Sequence, residues 1–494
     1  MDARRALVLE HSNGVATTLT LTDTSLTIST TTDTLKHQSF LFSSSTKPSH
    51  SEIPLHNVIA ATVSGSTVEV SYLARTTKQR LHMKQVCGDV TEKDVPLATE
   101  WCTSITQLAY QGGNPSKSLK VLINPHGGPG KARQIFAQKV EPVLRAAGCT
   151  LDVSLTTRAG HAIDIVQNMA LTYDALVVVS GDGLIHEVFN GLAKHAMPDK
   201  AFCIPVAQIP AGSGNGLSLN ILGLLDGLDP CAAALNVLKG QPMKVDLFSF
   251  TQGNQRRISF MSQTVGLMAD VDIETEHLRW MGDLRFVWGF LRGVVTRKTC
   301  KMELSMKVVE QDKSQMVDAL YARRKSAAKG AAPALPAADI TPVNDKQGDE
   351  VDSPGNWVTF EKPILWMVAG KGPYVSRSLM QFPVSHPDDG LIDISIQEIV
   401  GRKFLLDAME GAEFGRSYWF SSNRYVKGSA YRAKPLTNSG VLMVDGEAFP
   451  FEEFQIAVLP RLGTLLSPYP HYAPDFKVVD AKGTMREATV TSLP

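Results

Sequence analysis

Three stretches of the chain hold residues whose types and spacing suit chemistry on a phosphate. The first, Asn124-Pro125-His126-Gly127-Gly128-Pro129-Gly130-Lys131, joins the apolar run Leu119–Ile123 to a segment with helical spacing, Ala132 to Ala147. Glycines there let backbone N–H groups turn toward an anion, and the helix N-terminus adds its positive dipole end. It is not a Walker A loop, because Ala132 follows Lys131 where that motif needs Ser or Thr. The second, Ser180-Gly181-Asp182-Gly183, follows the apolar run Ala175–Val179, and Leu184, Ile185, Val188, Phe189 and Leu192 then keep helical spacing. Asp182 is therefore expected on a strand-to-helix bend at the carboxyl edge of a sheet, where open α/β sheets bind ligands. There it can accept a proton from an acceptor hydroxyl; the plainer alternative is a helix N-cap. The third, Pro210-Ala211-Gly212-Ser213-Gly214-Asn215-Gly216, follows the apolar run Ile204–Ile209. Three such loops at successive strand ends converge on a nucleotide and a polar acceptor.

Further along, Arg279 and Arg285 lie six apart around Met281-Gly282, so a bend can aim both guanidinium groups inward, as phosphoryl transfer calls for; two arginines in one segment otherwise read as solvated. Asp445-Gly446-Glu447 offers two carboxylates for Mg²⁺ or a nucleotide. It also reads as a hairpin turn between Gly440–Val444 and Ala448–Phe451, since Asp-Gly is a strong turn signal.

The elements that must position these residues follow from texture. Residues 1–112 alternate Ser, Thr and Val as half-exposed strands do, and end in a helix with Leu97, Trp101, Ile105 and Leu108 on one face. That is a small β-domain which resembles a pleckstrin-homology-like module, or equally a β-rich extension packed on the next domain. Residues 113–243 alternate strands and helices, which implies a parallel sheet with right-handed crossovers. Residues 244–310 and 357–475 carry closer-spaced strands and read as a mostly antiparallel, sandwich-like subdomain. Residues 311–356, rich in Ala, Pro, Lys, Asp and Ser, are expected to be disordered, and 476–494 to be a loose tail.

Composition narrows the classes. Lys+Arg and Asp+Glu both total 49 in 494 residues, so no global field favours nucleic acid or an anionic membrane. No apolar stretch approaches the roughly 18–20 residues of a transmembrane helix. The apolar run after Arg4-Arg5 breaks at Glu10-His11, too early for a signal peptide, and the six cysteines form no CxxC pair. These features are those expected of a cytoplasmic protein.

Taken together, Asn124-Pro125-x-Gly127-Gly128-x-Gly130-Lys131, Gly181-Asp182-Gly183-x-x-His186-Glu187-x-x-Asn190-Gly191 and Pro210–Asn215 resemble the diacylglycerol-kinase-type catalytic domain. Gly266–Glu274 followed by Arg279–Phe286, with Val444-Asp445-Gly446-Glu447, is similar to sphingosine (long-chain-base) kinases, particularly fungal ones. The resemblance covers residues 118–310 and 358–470, and makes the subdomain of 244–310 and 357–475 the lipid-binding one. It implies Mg·ATP across the glycine loops, held by Asn124, Pro125, His126, Gly127, Gly128, Gly212, Ser213 and Gly214. Thr156, Arg158 and Gly160 belong to the same nucleotide side, with Glu187, Arg279, Arg285, Asp445 (also the metal ligand), Gly446 and Glu447. Ala159 and Pro129 stand where related kinases often carry cations. Asp182 is the implied base, and Asp272 the partner of an amino-alcohol head, with Asp270 as runner-up. Ser180, Gly181, Gly183, Leu267, Met268 and Phe286 are the implied lipid contacts, with Val271 and Phe290 beside them and a lid over Arg402–Met409. A sphingoid base is the expected acceptor, reached by transient peripheral contact with a membrane. The alternatives are a ceramide or diacylglycerol kinase, NAD kinase, or a catalytically dead lipid-binding scaffold.

Overall fold

The computed structural model describes residues 6–12, 15–32, 49–281, 284–296, 298–328, 357–476, 478–479 and 485–486. Seven strands open the chain: β1 (Ala6–Glu10), β2 (Val15–Leu21), β3 (Ser25–Thr32), β4 (Ser49–Pro54), β5 (Val58–Ser64), β6 (Thr67–Arg75) and β7 (Leu81–Asp89). They form one antiparallel sheet in the order β4-β3-β2-β1-β7-β6-β5, two meanders meeting where Glu10 pairs Asp89. Period-two alternation sends Leu7, Leu9, Leu19, Leu21, Val68 and Val70 inward. The Val95–Tyr110 helix covers that face with Ala98, Trp101, Cys102 and Ile105, and the Tyr110 hydroxyl donates to Ile59 O at 2.8 Å.

This domain is packed on the next one, as the reading of residues 1–112 as a β-rich extension expects. Arg75 forks onto Asp226 at 2.8 and 2.9 Å, and Leu81 N–H donates to Asp229 Oδ2 at 2.6 Å. The Lys239 ammonium donates to three carbonyls, those of Leu55, His56 and Val58. One apolar core runs from Leu9 through Trp101 to Val121 and Leu235.

The central layer is parallel: β8 (Ser118–Ile123), β9 (Thr150–Leu155), β10 (Ala175–Ser180) and β11 (Val206–Pro210) stand in the order β9-β8-β10-β11. All six residues of β10 are buried, as a strand with helices on both faces requires. The Ala132–Ala147 expectation becomes Ala132–Ile135, a π turn over Phe136–Val140 and Glu141–Ala146, with Pro142 removing a backbone donor at the break.

The C-terminal half adds β12 (Gln241–Gln252), β13 (Gln255–Ser259), β14 (Ser262–Gly266), β15 (Met302–Glu310), β16 (Trp357–Phe360) and β17 (Ile364–Gly370). The small hairpin β18 (Tyr374–Ser376) and β19 (Leu379–Met380) precedes β20 (Ile392–Glu398), β21 (Asn423–Pro435), β22 (Leu442–Val444), β23 (Glu447–Phe449) and β24 (Phe454–Ser467). β24 pairs antiparallel with β12 and β21 and parallel with β11 at Val206↔Leu465. Both halves are therefore one hydrogen-bonded sheet, β23-β22-β14-β17-β20-β21-β24-β11-β10-β8-β9.

One expectation is corrected. Residues 313–328 of the 311–356 segment form a helix, Lys313–Ala328, where the sequence suggests disorder. Met316, Val317 and Leu320 supply a short apolar stripe that buries against Tyr418 and Phe476, enough to order it despite the polar surroundings. Residues 329–356 lie outside the described residues, as does the 476–494 tail beyond Phe476, apart from Val478–Val479 paired with Met485–Arg486.

Candidate active site

The three glycine loops touch one another backbone to backbone. A Cβ on Gly212 would stand 2.3 Å from Gly181 Cα, one on Gly181 2.5 Å from Gly214 O, and one on Gly128 2.8 Å from Gly212 Cα. Glycine is needed here for close approach, and at Gly128 also for its φ of +57°. Gly183 meets nothing within 4 Å and faces open space. Asn215 closes the third loop: its Oδ1 accepts from Gly212 N–H at 3.1 Å while its Nδ2 donates to Gly212 O at 2.9 Å. Asn124 Oδ1 accepts from His126 N–H at 3.0 Å and shapes the first.

Asp182 does not cap the helix it begins, Asp182–Ala193, whose N-cap is Gly181. Its carboxylate receives the start of the next helix instead. Gly216 N–H donates to Oδ2 at 2.7 Å and Leu217 N–H to Oδ1 at 3.2 Å. Gln208 Nε2 adds a third bond to Oδ1 at 3.1 Å, while Gln208 Oε1 accepts from Ser218 N–H at 2.8 Å. Burial pushes the Asp182 carboxyl above its ordinary range; these bonds oppose the rise without cancelling it. A raised carboxyl on a loop edge is suited to accept a proton near neutral pH.

Glu187, one turn further along that helix, binds protein rather than facing outward. Its oxygens accept from Gly160 N–H and Ala162 N–H, both at 3.0 Å, and so hold the Thr156–Gly160 loop and the start of the His161–Gln167 helix. Arg158 is exposed and paired with Asp164.

Asp445 corrects the metal assignment. It sits in the β22–β23 turn at φ 50°, followed by Gly446 at φ 83°. Oδ1 accepts from Ser259 Oγ (3.0 Å), Met261 N–H (2.9 Å) and Ser262 N–H (2.9 Å). Oδ2 accepts from Phe260 N–H at 3.0 Å and meets His186 Nδ1 at 2.8 Å. With five protein partners and a fully buried side chain, Asp445 is no metal ligand; it anchors the 259–262 loop to the catalytic helix. Burial alone would lower the His186 pKa, but the hydrogen bond and charge of Asp445, with Glu447, outweigh it and hold the ring above its ordinary value. Among the described residues no group of three or more His, Cys, Asp or Glu is arranged for a metal ion.

Arg285 and Asp272, assigned separately to nucleotide and lipid, are joined at 2.9 Å between Nη2 and Oδ1. Both line the same cavity, so the two assignments meet at one ion pair. The side chains of Arg279 and Phe286 lie outside the described residues.

A single cavity of about 1030 Å³ runs from the glycine loops into the C-terminal half. Of the expected site residues, Asn124, His126, Gly127, Gly128, Thr156, Arg158, Ser180, Gly181, Asp182, Gly183 and Glu187 line it. So do Gly212, Ser213, Gly214, Met268, Asp272, Arg285, Asp445, Gly446 and Glu447, with Val271 and Phe290. Pro125 and Gly160 are not among the residues that line it. Leu267 is corrected: it is 2% exposed and fills the space beneath Gly293, away from the cavity. The Arg402–Asp407 helix, where a lid is expected, contributes Leu405. Gln208 escapes the sequence reading; a lone amide in the apolar run Ile204–Ile209 was its only signal.

Comparison with known proteins agrees with this geometry. The diacylglycerol kinase catalytic domain model matches residues 118–250, and a domain of unknown function (DUF7493) matches residues 8–111. Sphingoid long chain base kinase 4 of Schizosaccharomyces pombe is 34% identical over 84% of this chain and 88% of its own. Sphingosine kinase 2 of Arabidopsis thaliana is 27% identical over 83% and 89%, and human sphingosine kinase 1 is 29% identical over 70% and 90%. A solved diacylglycerol kinase from Bacillus anthracis aligns with TM-score 0.44 at 16% identity, covering 73% of this chain and 97% of that one. The fold and site define a lipid kinase with a diacylglycerol-kinase catalytic domain. Within that class, the chain belongs to the sphingoid long chain base kinase family.

Proposed function

We propose that this protein transfers the γ-phosphoryl group of ATP to the primary hydroxyl of a sphingoid base, giving the 1-phosphate and ADP. The observation that carries this reading is the cavity that joins the glycine loops to a chamber in the C-terminal half, with the Asp272 carboxylate among its lining residues. Asp182 accepts the hydroxyl proton as the oxygen attacks phosphorus and the bond to ADP breaks. Backbone N–H groups of the loops and the Arg285 guanidinium orient the phosphates, and positioning with electrostatics supplies most of the acceleration in such transfers.

Mg²⁺ would arrive with the nucleotide, since it keeps few protein ligands and takes phosphate oxygens readily. Glu447, beside Asp445 on the cavity wall, is the carboxylate we propose for it. The ammonium of a sphingoid base would join the Asp272–Arg285 pair on its acidic side. A ceramide or diacylglycerol carries no charge to match.

For membrane contact we propose the outer face of the Leu284–Thr296 helix. Leu284, Trp288, Leu291 and Val295 form one exposed stripe (67%, 45%, 42% and 67%), while Val287 and Phe290 of the same helix line the cavity. A base leaving a bilayer would then cross a single helix. A cytoplasmic protein, peripherally associated with membranes, is the matching location. Phosphate transfer from ATP to sphingosine, phytosphingosine, ceramide and diacylglycerol, run in parallel, tests the function; transfer to the neutral lipids alone would overturn it.

A further inference from the structure

The chamber that should receive a hydrocarbon chain is not uniformly apolar. On the cavity face of the sheet, the order of strands runs β22, β14, β17, β20, β21, and the lining residues change character along it. Met443, Thr264, Val368 and Trp366 come first; Ser395 and Gln397 on β20 and Asn423 on β21 follow. The register pairs Val368 with Ser395, Trp366 with Gln397 and Gln397 with Asn423, so these side chains share one face. Ser395 and Gln397 are two apart on one strand, about 7 Å, and three strand spacings, about 14 Å, from the β22–β23 turn that holds Glu447.

Their hydrogen bonds leave a particular kind of capacity. Ser395 Oγ donates to Asn423 Oδ1 at 2.8 Å, and Asn423 Nδ2 donates to Ser417 O at 2.9 Å. Gln397 Nε2 is used by Glu398 O, Ser422 O and Ser422 Oγ. Among the described residues, no donor reaches the Ser395 Oγ lone pairs or Gln397 Oε1. From another wall, Gln381 lines the cavity at 6% exposure, with no side-chain hydrogen bond among the described residues. Two acceptors and one unpartnered amide, each at least nine-tenths buried, therefore point at a space that a lipid chain would fill. Plain methylenes there would strip water from these groups without replacing its bonds, which disfavours an unsubstituted chain. A hydroxyl would replace them.

We propose that Ser395 and Gln397 form a polar subsite, with Gln381 elsewhere on the wall of the same cavity, that takes a hydroxyl carried on the hydrocarbon chain of the acceptor, well beyond the hydroxyl that is phosphorylated. The proposal rests on the lipid-kinase reading and adds a chain-recognition element to it.

The test uses the full-length protein with sphinganine and sphinganine analogues hydroxylated singly at successive chain carbons. Wild type should favour an analogue hydroxylated in the chain interior by about fivefold or more in kcat/KM, and Ser395→Ala and Gln397→Leu should flatten or reverse that ratio. Binding without ATP, followed by quenching of tryptophan fluorescence, should give the same ratio in Kd, because Trp366 lines the chamber. Ser395→Ala, the smallest change, keeps the test open should Gln397→Leu fold poorly. Equal Kd values for plain and hydroxylated chains, or variants that weaken both alike, would overturn the subsite. Absence of phosphate transfer to every base would count against the kinase reading alone, since the binding ratio still reports on the subsite.

Discussion

His186 and Asp445, 259 residues apart in the chain, meet at 2.8 Å in a buried pair that ties the catalytic helix to the C-terminal half. His186 lies one turn beyond Asp182, and Asp445 receives four further donors from residues 259–262. The pair thus sets the distance between Asp182, the proposed base, and the opposite wall of the cavity.

Replacing His186 by Ala leaves the Asp445 carboxylate buried with one partner fewer, and should destabilise the protein by about 3–5 kcal/mol in denaturant unfolding. The pH dependence has a definite sign. The folded-state pKa of His186 is raised, so its contribution is complete below the ordinary value of 6.5 and fades as pH rises through the folded value. The stability gap between wild type and His186→Gln should shrink on going from about pH 6 to about pH 9.

Asp182→Asn should lower kcat by roughly 10²–10⁴-fold, the range for loss of a positioned base. An amide nitrogen donates and accepts no N–H bond, so one cap of the Gly216–Asp226 helix is lost as well, at about 1 kcal/mol. An ATP Kd changed only a few-fold, beside the fall in kcat, separates the chemical role from the structural one.

The pH profile of kcat/KM gives an independent check on that base. Burial raises the Asp182 carboxyl, so activity should fall on the acid side through a pKa above the ordinary aspartate value of 3.8. An acid limb at or below 3.8 would contradict the assignment.

Glycines of two neighbouring loops should respond in opposite ways. Gly212→Ala forces a methyl to within 2.3 Å of Gly181 Cα, backbone that cannot yield without moving a loop. Nucleotide binding should be lost, as read by a fluorescent ATP analogue. Gly183→Ala enters open space in a helix and should raise stability by about 0.4–1 kcal/mol.

Serine at Trp288 and Leu291 should reduce sedimentation with liposomes, as neither residue lines the cavity. Turnover of a base presented in mixed micelles should change little, because only the proposed docking stripe is altered.

The α/β and antiparallel layers, the three loops and Asp182 were legible because each rests on local signals: an apolar run, then glycines, then helical spacing. What was not legible depends on distant partners. Asp445 reads as a metal ligand until Ser259–Ser262 and His186 are brought to it from far along the chain. Asp272 and Arg285, 13 residues apart, looked like two separate contacts because the turn that joins them leaves no pattern. Gln208 was hidden inside a run whose apolar neighbours define a strand. Ser395 and Gln397 alternate with Ile394 and Ile396 as any half-exposed strand does, and only the cavity behind them gives them a role.

The route of β24 has a consequence for synthesis and turnover. This late strand, Phe454–Ser467, pairs with the parallel sheet that begins at Ser118, so the nucleotide side stays unfinished until residue 467 has left the ribosome. Contacts of such long reach fold slowly. A message cut short, or a protease nick that releases the last fifty residues, should leave no partly active remnant able to consume ATP. Assembly of the phosphotransfer centre is in effect proofread by completion of the polypeptide.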